Sequence, residues 1–134
     1  KKYIKENKFK ENILFLGQIK NMKSIYQESD IAILPSWREG LSKSLIEAAA
    51  MEMPIVTTDV PGCNDVIDHG INGLIVPIKD HHSISLAIEL LILNPLLAEK
   101  FGKLAREKVK NTFEVKLVNT FTINQYHKLL NINN

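Results

Sequence analysis

Four short apolar runs constrain this chain more than anything else in it: "NILFLG" at 12–17, "IAILPS" at 31–36, "PIVTT" at 54–58 and "GLIVP" at 73–77. Each is continuous rather than alternating, and each is bounded by Gly, Pro, Asp or Asn. A strand with one face in water alternates apolar and polar residues, whereas a strand covered on both faces is free to be apolar throughout. The runs therefore predict parallel strands between layers of helix. The intervening segments read as those helices. Asn21 is placed to cap one carrying Met22, Ile25 and Tyr26. Behind Ser42, the residues Leu45, Ile46, Ala49 and Ala50 make one apolar face, and Val66 with Ile67 fits a short helix closed by Gly70. The alternation predicts an α/β fold, a Rossmann-like parallel sheet with flanking helices.

From about residue 80 the chain turns helical. Asp80 can cap "HHSISLAIELLIL", and Asn94-Pro95 breaks it. A second helix keeps Leu97, Phe101, Leu104, Ala105 and Val109 on one side. A last amphipathic stretch runs from Val115 to Leu130, with a frayed tail expected at "NINN".

The 134 residues amount to one domain or a piece of a larger one. The opening "KKYIKENKFK" carries no initiator Met, so further chain is expected upstream. A formal charge of +2 is too small to point to nucleic acid. Cys63 is the only cysteine, which excludes an intrachain disulfide and a cysteine-based zinc site. No apolar run approaches the ~20 residues that span a bilayer.

In parallel sheets of this kind, ligands bind beyond the carboxyl ends of the strands. The loops there are 17–21, 36–41, 59–64 and 76–79. The second opens "PSWREGLSKSLIEAAA", which places Glu39 on the loop, begins a helix near Gly40, Leu41 and Ser42, and puts Glu47 inside that helix. The first amides of a helix lack internal partners and carry the positive end of its dipole, which makes them a seat for phosphate. Glu47 lies about five residues further, or about 8 Å at 1.5 Å per residue. Carboxylates accept from sugar hydroxyls and repel phosphate, so the layout suits a ligand with hydroxyls at both ends and phosphate between them. A plainer reading stands beside this one: a glutamate in the first turn opposes the helix dipole, and a spacing of eight is near two turns by coincidence.

The stretch "DIAILPSWREGLSKSLIEAAAMEMPIVTTDVPGCNDVIDHGINGLIVP" resembles the C-terminal half of the GT-B glycosyltransferases of family 4, the group 1 transferases. Glu39 and Glu47 match the E-x7-E motif. Pro35-Ser36 matches the dipeptide before it, and Pro61-Gly62 the loop after the next strand. Gly70, Asn72, Gly73 and Pro77 match the last segment. The resemblance covers about residues 11–113. It implies that Glu39 faces the donor sugar as the catalytic carboxylate. Gly40, Leu41 and Ser42 are then expected to present amides to sugar and diphosphate, Glu47 to hold the ribose hydroxyls, and Gly17, Gln18 and Ile19 to contact the base. It further implies a retaining transfer from a UDP-hexose or UDP-N-acetylhexosamine, without metal or cofactor. The acceptor is a glycan or lipid-linked sugar held by an N-terminal domain outside this chain. The parent enzyme would be cytoplasmic, with peripheral association at the inner membrane face left open.

The departures from the family matter as well. The first two strands of the C-terminal domain are not in this chain, nor are the Arg and Lys that clamp the diphosphate. Residues 12–17 must then pair directly with 31–35 or leave exposed edges that invite self-association. The chain by itself is expected to bind nucleotide weakly and to transfer no sugar. A degenerate, non-catalytic nucleotide-binding module remains the alternative, ahead of a GT-B epimerase and a receiver-like domain. Among other residues, His81-His82 reads as a surface turn rather than a metal pair. Cys63 reads as a small filler, and Trp37 as either an acceptor-side wall or a packing residue.

Overall fold

The computed structural model describes residues 9–129. Its elements run α1 (Met22–Gln27), β1 (Ala32–Leu34), α2 (Lys43–Ala50), β2 (Ile55–Thr58), α3 (Pro61–Asn64), β3 (Leu74–Val76), α4 (His81–Leu93), α5 (Pro95–Phe113) and α6 (Val115–Leu129). The expected fraying at 131–134 lies outside the described residues.

The sheet is parallel, in the order β1-β2-β3, with Leu34 opposite Thr57 and Thr57 opposite Ile75. All four residues of β2 are buried, as its uninterrupted apolar reading requires. Successive residues of a strand face opposite sides. Ile55 accordingly joins the layer of Leu45, Ala49, Cys63, Ala105 and Val109, while Val56 joins Leu74, Ala87, Leu91 and Phe101. Two apolar layers thus sandwich one strand. Where α5 crosses the turn after α2, Gly102 lets the backbones meet: a Cβ there would lie 1.9 Å from the Glu52 carbonyl oxygen.

Asn21 accepts from the Lys23 amide at 3.2 Å, and Asp80 accepts from the Ser83 amide at 3.0 Å, so both expected caps form. The break at Asn94-Pro95 separates α4 from α5 as expected. Asn72 is 1 % exposed and explains its place in the "GINGLIVP" segment: its side chain accepts from the Asp68 amide and donates to the Val66 carbonyl. It pins the turn that enters β3.

Three expectations are corrected. Residues 12–17 form no strand. A 3-10 turn occupies Lys10–Asn12, and Ile13, Leu14, Phe15 and Leu16 follow it with exposed side chains. A strand exists only through a neighbour's ladder, and among the described residues no ladder includes this segment. Among the described residues, β1 has a ladder partner on one edge only. The helix expected around Val66 and Ile67 lies earlier, at Pro61–Asn64, because Pro61 supplies a preset first helical residue. On α2 the buried face is Leu45, Ala48 and Ala49, with Ala50 turned outward.

Candidate functional site

The loop between β1 and α2 is fixed at two points. β2 carries the first. The Thr57 hydroxyl donates to the Leu34 carbonyl at 2.9 Å, and the Thr58 hydroxyl donates to the Ser36 carbonyl. Ser36 in turn donates through Oγ to Glu39 Oε1 at 2.6 Å, which holds a half-buried carboxylate close to the strand end. The second point is Gly62. A Cβ on it would sit 1.4 Å from the Gly40 carbonyl oxygen and 3.0 Å from Glu39 Cβ. Only glycine admits this approach, so the turn at Pro61-Gly62 is the wall against which Glu39 and Gly40 rest. A trans peptide points its carbonyl and its following N–H in opposite directions. With the Gly40 carbonyl against Gly62, the Leu41 N–H faces away from that wall.

Cys63 lies buried below this loop. Burial first, and then the nearby Glu39 charge, push its thiol above the ordinary value, against a lowering contact from Thr57. It remains a neutral filler of the core at physiological pH, as expected.

Helix α2 begins without a side-chain cap. Ser42 is extended and 2 % exposed, and its hydroxyl lies 3.2 Å from Ser44 Oγ rather than on a helix amide. No acidic side chain stands in the first turn, so neither Glu39 nor Glu47 takes the dipole-opposing place that the plainer reading gave them. Gly40, Leu41, Lys43 and Ser44 are exposed around the helix start, whereas Ser42 between them is buried.

Glu47 stands in a different setting. It lines a cleft of about 600 Å³ between the start of α1 and the side of α2, together with Ile19, Lys20, Tyr26, Lys43 and Met51. Lys43 Nζ lies 3.6 Å from Glu47 Oε1, with the lysine 88 % exposed. The Tyr26 hydroxyl donates to the Ser44 carbonyl at 3.4 Å, and burial, then Glu47, raise its pKa. The structure thus brings Ile19 and Glu47 to one cleft. Gly17 and Gln18 precede it on exposed backbone, Gly17 at φ +67. Glu39, Gly40, Leu41 and Ser42 do not line that cleft; they form the loop leading to it.

Two features escaped the sequence reading. Tyr26 is read from sequence only as part of the helix behind Asn21, yet its hydroxyl reaches Ser44 of α2; a half-buried tyrosine needs a polar partner, and that is the available signal. Lys79, at φ +62, places its ammonium 4.5 Å from the centre of the Trp37 ring. This joins the loop after β3 to the loop after β1. His81 and His82 are exposed at the start of α4. Among the described residues, no three His, Cys, Asp or Glu side chains gather as metal ligands would, and no helix is long and apolar enough to cross a membrane.

Comparison with known proteins places this geometry. Residues 1–108 match the family described as glycosyl transferases group 1. The capsular polysaccharide biosynthesis glycosyltransferase CapM of Staphylococcus aureus is 33% identical over 107 residues, which is 80% of this chain and 28% of CapM. The N,N'-diacetylbacillosaminyl-diphospho-undecaprenol alpha-1,3-N-acetylgalactosaminyltransferase of Campylobacter jejuni is 32% identical over 93 residues, 69% of this chain and 25% of the enzyme. The solved sucrose-phosphate synthase of Thermosynechococcus elongatus superposes with a TM-score of 0.91 at 25% identity, covering 98% of this chain and 34% of the synthase. The chain therefore spans between a quarter and about a third of the length of these three proteins. It belongs to the group 1 glycosyl transferases and carries the Rossmann-like C-terminal architecture of their GT-B fold.

Proposed function

We propose that this chain is the donor-binding part of a retaining glycosyltransferase that moves a hexose or N-acetylhexosamine from a UDP-sugar to a glycan or lipid-linked acceptor. The observation that carries the reading is the uncapped start of α2, with one carboxylate held in place before it and a second in a cleft beyond it. In this reading the backbone amides of Gly40, Leu41 and Ser42 receive the donor's sugar and diphosphate. Glu39 lies beside the anomeric carbon. Glu47 accepts from the ribose hydroxyls, and the base rests on Gly17, Gln18 and Ile19. The similarity to a Campylobacter enzyme that transfers N-acetylgalactosamine supports the sugar class.

The chemistry follows from the charges. As the sugar–phosphate bond breaks, negative charge grows on the diphosphate and positive charge on the sugar ring. Fixed N–H dipoles stabilise the first without rearranging, so the leaving group needs no metal in this reading. A carboxylate fixed by Ser36 stabilises the second. Glu39 acts by position and charge rather than as a committed nucleophile, and the acceptor hydroxyl attacks from the face the diphosphate leaves, giving its proton to that departing diphosphate.

Calorimetric titration with UDP and UDP-sugars tests the site. Glu47→Gln is expected to weaken nucleotide binding about tenfold, the loss of hydrogen bonds to a charged acceptor. Equal binding by both proteins would remove Glu47 from the site. The chain by itself is expected to show no sugar transfer, and turnover by it would refute that part of the reading.

A further inference from the structure

Tyr26 meets the cleft that holds Glu47 from the α1 side. Its ring packs against the apolar layer that includes Leu45 and Ala48. Anchored there, it carries its hydroxyl to the Ser44 carbonyl at 3.4 Å. Ser44 and Glu47 stand three apart on α2, a spacing that makes them neighbours on one helix face. Both line the cleft together with Tyr26. Burial first, and then the charge of Glu47, raise the phenol pKa, so the carboxylate lies within electrostatic reach of the hydroxyl.

Two acceptors thus compete for one proton, and the Ser44 carbonyl is the poorer. Its contact is long against the spacing of about 2.7 to 2.8 Å usual between two oxygens, and the helix ladder already uses that carbonyl. A hydrogen bond to a charged carboxylate is the stronger of the two. Glu47 is otherwise loosely paired, with a lysine that is mostly in solvent. Once ribose hydroxyls donate to the carboxylate it takes one orientation, and a donor on its protein side holds it there. We propose that Tyr26 is a positioning residue for the donor nucleotide: its hydroxyl turns from the Ser44 carbonyl to Glu47 as the ribose binds, and so fixes the carboxylate that reads the ribose hydroxyls. This rests on the donor-site reading above.

The cleft and all three side chains lie within this chain, which is therefore titrated as it stands. NMR titration follows weak binding and compares UDP with 2′,3′-dideoxy-UDP, which keeps base and diphosphate but lacks both ribose hydroxyls. Tyr26→Phe keeps the packed ring and deletes only the hydroxyl. It should weaken UDP binding about fivefold, the scale of one modest hydrogen bond, and change dideoxy-UDP affinity less than twofold. Combined with Glu47→Gln, it should add less than twofold to the loss that Glu47→Gln causes alone, because the hydroxyl acts through the carboxylate. A purely structural role would move both ligands together, so equal losses would overturn the proposal. No loss with UDP would also overturn it, as would losses that multiply in the double variant, which would give Tyr26 a ligand contact of its own. Failure of the unaltered chain to bind UDP, or indifference of UDP to Glu47→Gln, would instead sink the donor-site reading and this assignment with it.

Discussion

Glu39 and Glu47 belong to one motif, yet the structure holds them in opposite ways. Glu39 is fixed from three directions, by the Ser36 hydroxyl, by the Gly62 backbone and, through Ser36, by Thr58 of the central strand. Glu47 lines an open cleft, and among the described residues its one ion pair is with a lysine that is 88 % exposed. Such pairs contribute little. The difference matches the two tasks proposed for them. A charge that stabilises a short-lived state must already be in place, whereas a side chain that accepts from ribose hydroxyls can settle as the ligand arrives.

The strongest way to break this contrast is Gly62→Ala. Its Cβ would meet the Gly40 carbonyl, so either the loop or the turn must move. We expect a loss of about 3 kcal/mol, read by urea unfolding, together with loss of nucleotide binding in whatever fraction stays folded. Gly102→Ala is the matched control. It forces a similar clash, with Glu52 rather than with Gly40 and Glu39, and should lower stability while the folded protein keeps more of its UDP affinity. If both variants lose UDP affinity equally, the Gly62 wall has no special bearing on the site.

Ser36→Ala is next in size. Removing one hydrogen bond to a carboxylate should lower stability by about 1 to 2 kcal/mol. In the full-length enzyme it should reduce kcat and leave the donor KM near its original value. A change confined to KM would mean that Glu39 needs no fixing.

Alkaline pH offers a separate reporter for each carboxylate. Cys63 is raised above its ordinary 9.0 and Tyr26 above 10.0, burial being the first cause in both. The folded protein thus retains these protons at pH values where the unfolded chain releases them. Stability should be constant below about pH 9 and fall as pH rises beyond the ordinary values. Tyrosinate absorbance should appear at lower pH in Glu47→Gln, because one raising influence is gone. No movement there would separate Tyr26 from Glu47. The smallest effect is expected from Lys43→Gln, which should alter stability by less than about 0.5 kcal/mol; a larger loss would show that Glu47 is held more firmly than its single pair implies.

Much of this architecture was legible in the residues. The runs at 31–36, 54–58 and 73–77 announced strands because both faces of β2 are covered, and that demand shows in sequence as missing alternation. Asn21, Asp80 and Pro95 announced helix ends because each acts within a few residues of itself. The run at 12–17 looked the same and forms no strand, since a ladder depends on a neighbour that apolar character cannot supply. The wall at Gly62 was illegible for a related reason: the glycine is visible, but the carbonyl it must admit comes from a distant loop. Tyr26 and Lys79 reach their partners across the fold, where spacing along the chain gives no guide.

Thr57 secures the last residue of the β1 ladder, and Thr58 continues the alignment one step past it. Their hydroxyls grip the Leu34 carbonyl, at the end of the main-chain pairing, and the Ser36 carbonyl beyond it. Neither threonine belongs to the proposed donor site. A screen for altered activity should nonetheless recover valine at these positions, an exchange close in shape that deletes only the grip, and such hits would mark how far from the reacting atoms the aim of Glu39 is decided.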